Sequence, residues 1–339
     1  MARNRFFGLT SRVLMLIVAG LLVLSYASII VNPAKVWIIS LIGIFFIPLS
    51  ILNLCLLLWA VKRRSKSFMI PLLALLPSLF FAGRYVQFDS DEDKIARLSH
   101  TGRTLKIVSY NVGRFAMNEG EYSSRSECMD SVFAFILDQD PDIICLQERP
   151  HENLIAWETI QAAFPEYPYT LRNEEREDEV LNLAILSKYP LSESEETYYT
   201  DTYNKSMTAN VSAPQRKFRL HNAHLQTTQH VFTRFIENAQ RRNAQADQLK
   251  TQINSSGIPT LVCGDFNDTP CSYTYRKLSF GMQDAFLKAS EEWTGSFQPM
   301  GRWLRIDYIL CSPDWQVQAY QLIENPWSDH KMQLATFNY

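Results

Sequence analysis

The stretch Asp142-Ile-Ile-Cys-Leu-Gln-Glu148 shows the pattern that decides the fold of this chain. Its apolar residues are typical of a buried strand, and they run directly into Gln147 and Glu148, which a strand does not need for packing. Strands that deliver polar groups from one end can hold a site rigidly. Three further strand candidates end in the same way: Leu105–Tyr110 leads to Asn111, Phe218–Ala223 to His224, and Thr260–Cys263 to Gly264-Asp-Phe-Asn267.

The rest of residues 104–339 alternates between strand-like and helix-like runs. Leu183–Ser187 and Ile306–Cys311 are additional strand candidates, and helices are predicted over Ser124–Asp138, Glu152–Phe164 and Val231–Ile253. The sequence contains no internal repeat. This alternation predicts a single domain of the α/β or α+β class. The basic residues of the third helix are expected to form a solvated face: Arg234, Arg241, Arg242 and Lys250.

The charge of the chain is divided unevenly. Nine of the 33 basic residues and none of the 35 acidic ones lie before Asp89, so the residues after Phe88 carry a formal net charge of −11. The chain therefore joins two different kinds of polypeptide. We predict a membrane region over residues 1–88, a polar linker over 89–103 and a folded domain over 104–339.

Three apolar runs in the first region are long enough to be considered as membrane helices. Residues 13–31 and 36–61 each reach the roughly 20 residues that a bilayer core requires, and residues 68–83 are shorter and contain Pro71 and Pro77. Membrane helices tolerate proline when neighbouring groups satisfy the backbone. A cleaved signal peptide is the alternative for the first run, although two further apolar runs follow it and no small-residue cleavage site stands out.

The six cysteines show no spacing that would hold zinc. Cys55 lies in a membrane run, and most of the others lie in apolar runs where cysteine is usually a small buried hydrophobe. A disulfide between Cys128 and Cys271 is left open by the sequence.

Six motifs, in order along the chain, resemble those of the endonuclease/exonuclease/phosphatase family. They are Ile107-Val-Ser-Tyr-Asn-Val112, Asp142-Ile-Ile-Cys-Leu-Gln-Glu148, Asn222-Ala-His-Leu-Gln226, Gly264-Asp-Phe-Asn267, Arg305-Ile-Asp-Tyr-Ile309 and Ser328-Asp-His330. The resemblance covers residue 105 to the C-terminus. It implies a DNase-I-like four-layer sandwich, in which two packed β-sheets are flanked by helices, here preceded by an all-α transmembrane region.

The residues themselves suit metal-assisted cleavage of a phosphoester. Glu148 and Asp329 are hard oxygen ligands of the kind that Mg²⁺ prefers, and Asn111 could add an amide oxygen. A cation held there, Mg²⁺ or Mn²⁺, would act as a Lewis acid on the phosphoryl oxygen. The resemblance implies that Glu148 is the principal metal ligand.

His330 is the natural general base, because imidazole titrates near working pH. The resemblance implies that Asp307 is the carboxylate that orients it. It further implies that Asp265 and Asn267 orient the attacking water and bind a phosphoryl oxygen, with His224 on the other side of the phosphate. His221 has no motif behind it and is expected to be structural.

The substrate is less well defined by the sequence. The resemblance favours a nuclease-type activity, with a lipid-headgroup phosphodiesterase or a phosphatase as the alternative, and a non-catalytic binding module as a second one. An acidic domain argues against tight non-specific binding of nucleic acid, because phosphate neutralisation by basic residues dominates that affinity. Anchoring at a bilayer makes a lipid headgroup or another membrane-proximal phosphoester attractive.

The basic residues of the first region predict its orientation in an inner, or plasma, membrane. Arg3, Arg5 and Arg12 precede the first run, and Lys62, Arg63, Arg64 and Lys66 separate the second from the third. Basic loops stay cytoplasmic. If residues 68–83 span the bilayer, the protein is multi-pass and its second domain is extracytoplasmic; if they lie in the interface, that domain is cytoplasmic. We expect the first outcome.

Overall fold

A computed structural model gives the fold of residues 2–88, 94, 97, 102–116, 125–176, 181–200, 202–228, 232–299 and 302–339. Most of the predicted linker lies outside these described residues. The chain forms two compact units. The first comprises Met1–Tyr85, Thr228–Asn243 and Asp268–Lys277, and the second comprises Val86–Thr227, Ala244–Asn267 and Leu278–Tyr339. The first unit thus includes two segments from the region predicted to be the folded domain.

Two six-stranded sheets form the second unit. The first contains β1 (Thr104–Asn111), β2 (Ile143–Arg149), β3 (Tyr169–Arg172), β4 (Asn182–Ser187), β11 (Gln316–Ile323) and β12 (Met332–Asn338), in the order β11-β12-β1-β2-β4-β3. The second contains β5 (Leu191–Tyr198), β6 (Lys205–Ala213), β7 (Arg216–His224), β8 (Thr260–Asp265), β9 (Gln283–Asp284) and β10 (Asp307–Cys311), in the order β5-β6-β7-β8-β10-β9. Within each sheet one pair, β1/β2 or β7/β8, is parallel, and the other neighbouring strands are antiparallel.

The sheets pack face to face around an apolar core. Ile107 and Ile143 of the first sheet meet Leu220 and Leu261 of the second in this core. The alternate residues of β1 and β2 form another cluster with α6 (Arg125–Leu137) and α7 (Trp157–Ala163) on the outer face of the first sheet. Because both faces are covered, these strands bury consecutive apolar residues, Ile107 and Val108 in β1 and Ile143 to Leu146 in β2, rather than strictly alternating apolar and polar ones.

The predicted two-sheet sandwich flanked by helices is confirmed. All six predicted strands form with small changes at their ends. The predicted helix over Glu152–Phe164 begins only at Trp157, because residues 151–155 form turns in which the Glu152 amide donates to Glu175 Oε2 at 2.9 Å. Short or polar strands lay outside the prediction, among them β3, β5 and β9. The helices α9 (Tyr273–Ser279) and α10 (Ala285–Ala289) also lay outside it.

The N-terminal part of the first unit is helical. Its helices are α1 (Ala2–Ala27), α2 (Trp37–Ile44), α3 (Phe46–Lys62), α4 (Met69–Leu75) and α5 (Ser78–Ala82). Leu9–Ala27 is long and apolar enough to cross a membrane, and its position also suits a signal sequence. The pair α2 and α3 passes the same test together but is bent by 65°, and Lys66–Ala82 is a shorter apolar stretch.

Proline explains the break between α2 and α3 and the break between α4 and α5. Pro48 lacks an amide proton and its ring collides with the carbonyl of Ile44, four residues earlier, which is where α2 ends. Pro77 separates α4 from α5 for the same reason. The three apolar runs read from the sequence therefore become one continuous helix and two broken ones.

The long helix α8 (Phe232–Ser255) contributes to both units, and one expectation about it is wrong. Arg242 does not lie on a solvated face but is buried within the first unit. Its Nε donates to Asp268 Oδ2 at 3.1 Å and its Nη1 to Thr228 Oγ1 at 3.1 Å. The pairing depends on a loop after β8 that the sequence of the helix alone does not reveal.

None of the six cysteines takes part in a disulfide. Cys128 and Cys271, whose pairing the sequence left open, are both buried and do not form a disulfide with each other. Cys145, Cys263 and Cys311 are buried as expected for small hydrophobes, and only Cys55 in the helical region is exposed.

Candidate active site

Strand register in the second sheet aligns three of the predicted site residues side by side. In the parallel pair β7/β8, His224 lies opposite Asp265. In the antiparallel pair β8/β10, Asp265 lies opposite Asp307. Since β7 and β8 end here and β10 begins here, all three side chains reach the same edge of the sheet.

The first sheet brings its own residues to one edge in the same way. Asn111 pairs with Gln147 in the parallel pair β1/β2, and Glu148 follows directly. Asp329 and His330 immediately precede β12, which runs antiparallel to β1. The sequence motifs therefore meet because five strand ends and one strand-preceding turn converge.

The side chains of the two edges are in contact. The Asn111 amide Nδ2 donates to Glu148 Oε1 at 3.2 Å and to Asp265 Oδ2 at 3.1 Å. His224 Nε2 lies 3.7 Å from Glu148 Oε1 and 3.6 Å from Asp265 Oδ2. His330 Nε2 lies 3.8 Å from Asp265 Oδ2 and 3.9 Å from Asp329 Oδ1. Of the eight predicted site residues, seven therefore form one continuous cluster around Asp265.

Asn267, the eighth predicted site residue, lies at the margin of this cluster. Its backbone amide donates to Asp265 Oδ1 at 2.8 Å, and its side-chain Nδ2 donates to the Leu225 carbonyl at 2.9 Å. The side chain therefore links the turn after β8 to the segment after β7, and it holds both beside the site.

His330 and Asp307 form a buried pair. His330 Nδ1 lies 3.1 and 3.0 Å from the two carboxylate oxygens of Asp307. This leaves His330 Nε2 directed towards Asp265 and Asp329. A carboxylate on one ring nitrogen fixes the tautomer that leaves the other nitrogen free to accept a proton.

Negative charge accumulates in the cluster. Four carboxylates, those of Glu148, Asp265, Asp307 and Asp329, lie close together, and no lysine or arginine in the described part of the chain forms an ion pair with any of them. Burial, reinforced by the Asp307 charge, raises the pKa of Asp265 well above its usual range. Burial likewise raises the pKa of Asp329. Such crowding requires a compensating cation or proton.

The two site histidines respond in opposite ways to this environment. Burial would lower the pKa of His330, but the charges of Asp307 and Asp265 outweigh it and raise the pKa to about 10. Burial lowers the pKa of His224, whose Nδ1 has no hydrogen-bond partner among the described residues. Burial therefore favours the neutral form of His224. The carboxylate charge that favours the protonated form of His330 would be offset by a bound cation, which would lower the pKa of His330 and leave Nε2 able to accept a proton.

The donor set fits a divalent cation such as Mg²⁺ or Mn²⁺. Hard carboxylate oxygens dominate, and uncompensated negative charge favours a cation. By mutual distance alone, Asp265, Asp307 and His330 offer ligand atoms within 4.8 Å of one another. Both oxygens of Asp307 are engaged by His330, however, whereas the Glu148 and Asp329 side chains are 22% and 28% exposed. The latter two are better placed to exchange an ion with solvent.

Asn111 shows an orientation that the sequence did not predict. Its amide nitrogen faces the carboxylates, while its Oδ1 accepts a hydrogen bond from the Gly113 amide at 3.1 Å. In this arrangement Asn111 donates to the ligands, and ligation through its own oxygen would require the amide to turn over.

Comparison with known proteins agrees with this geometry. Residues 108–330 match the model of the Endonuclease/Exonuclease/phosphatase family. The chain belongs to this family. It is accordingly a hydrolase that acts on phosphoester bonds. Residues 4–85 match a second model, described as Domain of unknown function (DUF8431). No curated protein is significantly similar to the chain in sequence.

Solved structures of this family share the fold. An endonuclease/exonuclease/phosphatase from Bacteroides vulgatus is 21% identical with a TM-score of 0.56, over 70% of this chain and 99% of that one. The mannosyl-6-phosphatase of Bacteroides thetaiotaomicron is 17% identical with a TM-score of 0.56, over 69% and 100%. A humanized D. rerio TDP2 is 19% identical with a TM-score of 0.55, over 70% and 99%. At these identities the likeness concerns the fold alone.

Strained backbone supports the site of this family member. Glu148 has φ +52° and Asn267 has φ +53°, a left-handed conformation that is uncommon for residues other than glycine. Such strain persists only where the surrounding structure imposes it, and it is concentrated at functional sites. At Gly264, where φ is +133°, an added Cβ would lie 1.9 Å from the Ala223 carbonyl oxygen. Glycine is therefore required for β7 and β8 to approach closely enough to place His224 beside Asp265.

A buried amide pair that was not predicted joins the two sheets beneath the site. Gln147 Nε2 donates to Asn222 Oδ1 at 2.7 Å, and Asn222 Nδ2 donates to the carbonyls of Leu146 and Ala184, both at 3.0 Å. Gln147 immediately precedes Glu148, and Asn222 lies two residues before His224. Their place inside two of the motifs was the available signal, because a buried amide in an apolar strand needs partners.

Proposed function

We propose that this chain is a membrane-anchored phosphoesterase in which Glu148 and Asp329 hold a divalent cation, Mg²⁺ or Mn²⁺, and His330 is the general base. The observation that supports it best is the cluster of four carboxylates, including that of the His330–Asp307 pair, which has no lysine or arginine ion-pair partner among the residues that the structure describes. A bound cation would supply Lewis-acid polarisation of the phosphoryl group and compensate the excess negative charge.

The protein groups then divide the remaining work. His330 Nε2 removes a proton from the attacking water, and Asp307, bonded to Nδ1, holds the ring and stabilises the imidazolium that forms. Asp265, 3.8 Å from His330 Nε2, orients that water. His224, whose Nδ1 is buried without a partner in the described structure, hydrogen-bonds a phosphoryl oxygen or the leaving group. Asn267 binds a phosphoryl oxygen on the same side of the phosphate as Asp265. Asn111, whose amide donates to Glu148, orients that carboxylate.

The activity can be tested with the full-length protein in detergent or nanodiscs. We expect hydrolysis of bis-p-nitrophenyl phosphate with Mg²⁺ or Mn²⁺, loss of turnover in EDTA, and recovery when the cation is restored. Turnover that persists in EDTA after dialysis would contradict the cation assignment, and no turnover under any condition would contradict the diesterase activity on this substrate.

The side chains of the helical region support membrane anchoring. Large apolar residues are exposed along its helices: Val13, Leu16, Ile17 and Val23 on α1, Ile51, Leu54, Leu58 and Val61 on α3, and Leu73, Leu79 and Phe80 on α4 and α5. Within Leu9–Ala27 of α1, only 28% of the most apolar 18-residue stretch is buried. An apolar surface of this extent on several helices is unfavourable in water and favourable in lipid.

Contacts within the first unit also support three passes. Arg12 Nε donates to Ser67 Oγ at 3.0 Å, so the start of the third apolar run lies beside the start of the first one, at residue 13 within α1. Near the other end of α1, the Tyr26 hydroxyl donates to the Ala74 carbonyl at 2.7 Å and stacks on Phe81. The third run therefore extends alongside α1 for about 20 Å, at 1.5 Å per residue. The helix α3 packs against both α1 and α4, and Asn53 Nδ2 donates to the Val18 carbonyl at 3.1 Å.

These contacts give the region an orientation. Arg12 lies at the same end as the exposed residues Lys62, Arg63 and Arg64. At the other end, Ser28 donates to the Cys271 carbonyl and Arg84 to the Pro270 carbonyl. Basic loops remain cytoplasmic, which supports a position of the segment that contains Pro270 and Cys271 on the opposite side. We propose that the catalytic domain is extracytoplasmic.

The orientation restricts the substrate to phosphoesters outside the cytoplasm. The net charge of −11 after Phe88 disfavours long polyanions, which favours a lipid headgroup or a sugar phosphate over nucleic acid. A panel of phospholipid vesicles, mannose 6-phosphate, DNA and RNA would distinguish them. Alkaline phosphatase and green fluorescent protein, fused separately after Tyr339, would test the side; a fluorescent and phosphatase-silent pair would overturn the orientation.

A further inference from the structure

A short segment outside all six motifs contacts both members of the His330–Asp307 pair. We call residues Thr294–Gln298 the strap. The strap bridges to two other backbone segments at Phe297, which pairs with Leu304 on one side and with His330 on the other. It therefore links the strand that carries Asp307 to the turn that carries Asp329 and His330.

The Ser296 hydroxyl is the contact on the Asp307 side. Its Oγ accepts hydrogen bonds from the backbone amides of Ile306 and Asp307, both at 3.0 Å. Ser296 is fully buried. Two amides at the start of β10 thus depend on one side chain, since a buried amide without an acceptor costs free energy. The hydroxyl fixes the backbone from which the Asp307 carboxylate extends.

Backbone and ring contacts fix the histidine side. The Ser296 carbonyl accepts from the Lys331 amide at 2.7 Å, and the Gln298 amide donates to the Asp329 carbonyl at 2.7 Å. The Phe297 ring lies edge-on to the His330 ring, with centroids 5.1 Å apart. The His330 ring is therefore in contact with the strap through Phe297 and with Asp307 through Nδ1.

The strap can approach this closely because Gly295 lacks a side chain. A Cβ at this position would lie 2.0 Å from the Leu304 carbonyl oxygen. The close approach allows the Phe297 amide to donate to that same carbonyl at 3.0 Å.

We propose that Ser296 and Phe297 are positioning residues, which set the distance and angle between Asp307 and His330 without touching substrate. This inference rests on the proposed function, in which that pair is the general base. Displacement of reacting groups by a fraction of an ångström reduces turnover much more than binding. The strap should therefore affect kcat and leave the cation requirement unchanged.

Ser296→Ala in the full-length protein is the primary test. We expect kcat for bis-p-nitrophenyl phosphate to fall about 10- to 100-fold, with KM and the Mg²⁺ concentration for half-maximal activity unchanged. Ser296→Thr, which keeps the hydroxyl, should recover a large part of kcat. Ser312→Ala is the matched control, because Ser312 Oγ also accepts a backbone amide, that of Thr260, at the opposite end of β10. The control should keep kcat within about twofold.

Combination with Asp307→Asn separates positioning from general destabilisation. Residues that act through one another are non-additive, so Ser296→Ala should reduce kcat less than about threefold further in the Asp307→Asn background. It should retain its full effect in the Glu148→Gln background. Equal effects in both backgrounds, or wild-type kcat for Ser296→Ala, would overturn the proposal.

A spectroscopic measurement distinguishes failure of this inference from failure of the proposed function. The proton between His330 Nδ1 and Asp307 should give a downfield ¹H resonance that Asp307→Asn abolishes, because the hydrogen bond is charge-assisted. Ser296→Ala should shift or broaden it, and Ser312→Ala should not. An unchanged resonance in Ser296→Ala would overturn the positioning role of the strap, whether or not the wild type is active. An inactive wild type would by itself overturn only the proposed activity.

Discussion

The two sheets supply different halves of the site, and the halves differ in exposure. The first sheet presents Glu148 and Asp329, whose side chains are 22% and 28% exposed. The second presents Asp265, Asp307 and His224, whose side chains are at most 3% exposed. Partly exposed carboxylates can exchange ions and substrate with solvent, whereas buried groups are fixed by the protein and can orient others. The difference suggests that the first edge binds and the second edge positions.

The largest effect should come from the binding edge. Glu148→Gln keeps the size of the side chain but removes its charge, and Lewis-acid assistance is worth several kcal/mol, so we expect kcat to fall by about 1,000-fold or more. Glu158→Gln, on the exposed face of α7, is the control. Wild-type turnover by Glu148→Gln at saturating Mg²⁺ would remove the distinction between the two edges.

The His330–Asp307 pair, which joins the two edges, should show coupling rather than simple loss. Asp307→Asn and His330→Gln should each reduce kcat by about 100- to 10,000-fold, because a positioned general base contributes on that order. Their double variant should lose little more than either single one, since the two groups act as a unit. Steady-state kinetics of the three variants measures this. Losses that multiply would show that Asp307 and His330 act independently.

Asp329 and Asp265 allow a direct comparison of the edges. Asp329→Asn should raise the Mg²⁺ concentration for half-maximal activity about 10- to 100-fold with a smaller change in kcat. Asp265→Asn should lower kcat and leave the Mg²⁺ dependence largely unchanged. Titrations of activity with Mg²⁺ at saturating substrate test both. A reversed pattern would assign the cation to the buried edge.

The smallest effect on activity should come from His221. It is buried on β7 with its Nδ1 3.0 Å from Thr208 Oγ1, away from the site, so His221→Asn should change kcat less than about twofold. Burial lowers its pKa to about 3, below the unfolded value of 6.5. The unfolded chain therefore binds the extra proton first, and stability falls as pH decreases from 6.5 towards 3, by at most about 1.4 kcal/mol per pH unit.

Thermal unfolding at several pH values tests the predicted contribution of His221 to the pH dependence of stability. His221→Asn should lose less stability than the wild type between pH 7 and pH 5. The same pH dependence in both proteins would show that His221 is not the group responsible.

The contrast between the edges also shows what the sequence could reveal. The ends of β1, β2, β7 and β8 were predictable, because each apolar run stops at a polar residue. Which strands become neighbours was not predictable from local pattern. The register that places Asp265 between His224 and Asp307 depends on pairings between residues more than 40 positions apart. The resemblance to a family supplied that arrangement before the structure did.

Residues without a local pattern were missed for a related reason. The strap lies in a segment with no apolar periodicity, and its role arises only from the segments it contacts. Arg242 was misjudged because the exposed face of a helix depends on what packs against it, here Asp268 from a distant loop. The proline breaks were visible as residues, but their consequence for the length of the helices was underestimated.

The absence of disulfides among the six cysteines has a consequence for the biogenesis of this protein. If the catalytic domain folds outside the cytoplasm, five thiols that are buried in the native state are briefly accessible to oxidants on a newly exported chain. Oxidation of two of these thiols to a disulfide would block packing of the two sheets against each other, because Cys145, Cys263 and Cys311 belong to the core between the sheets. During maturation, packing of the two sheets then competes kinetically with oxidation of the thiols. The yield of active protein should depend on the redox poise of the compartment even though the finished enzyme contains no disulfide.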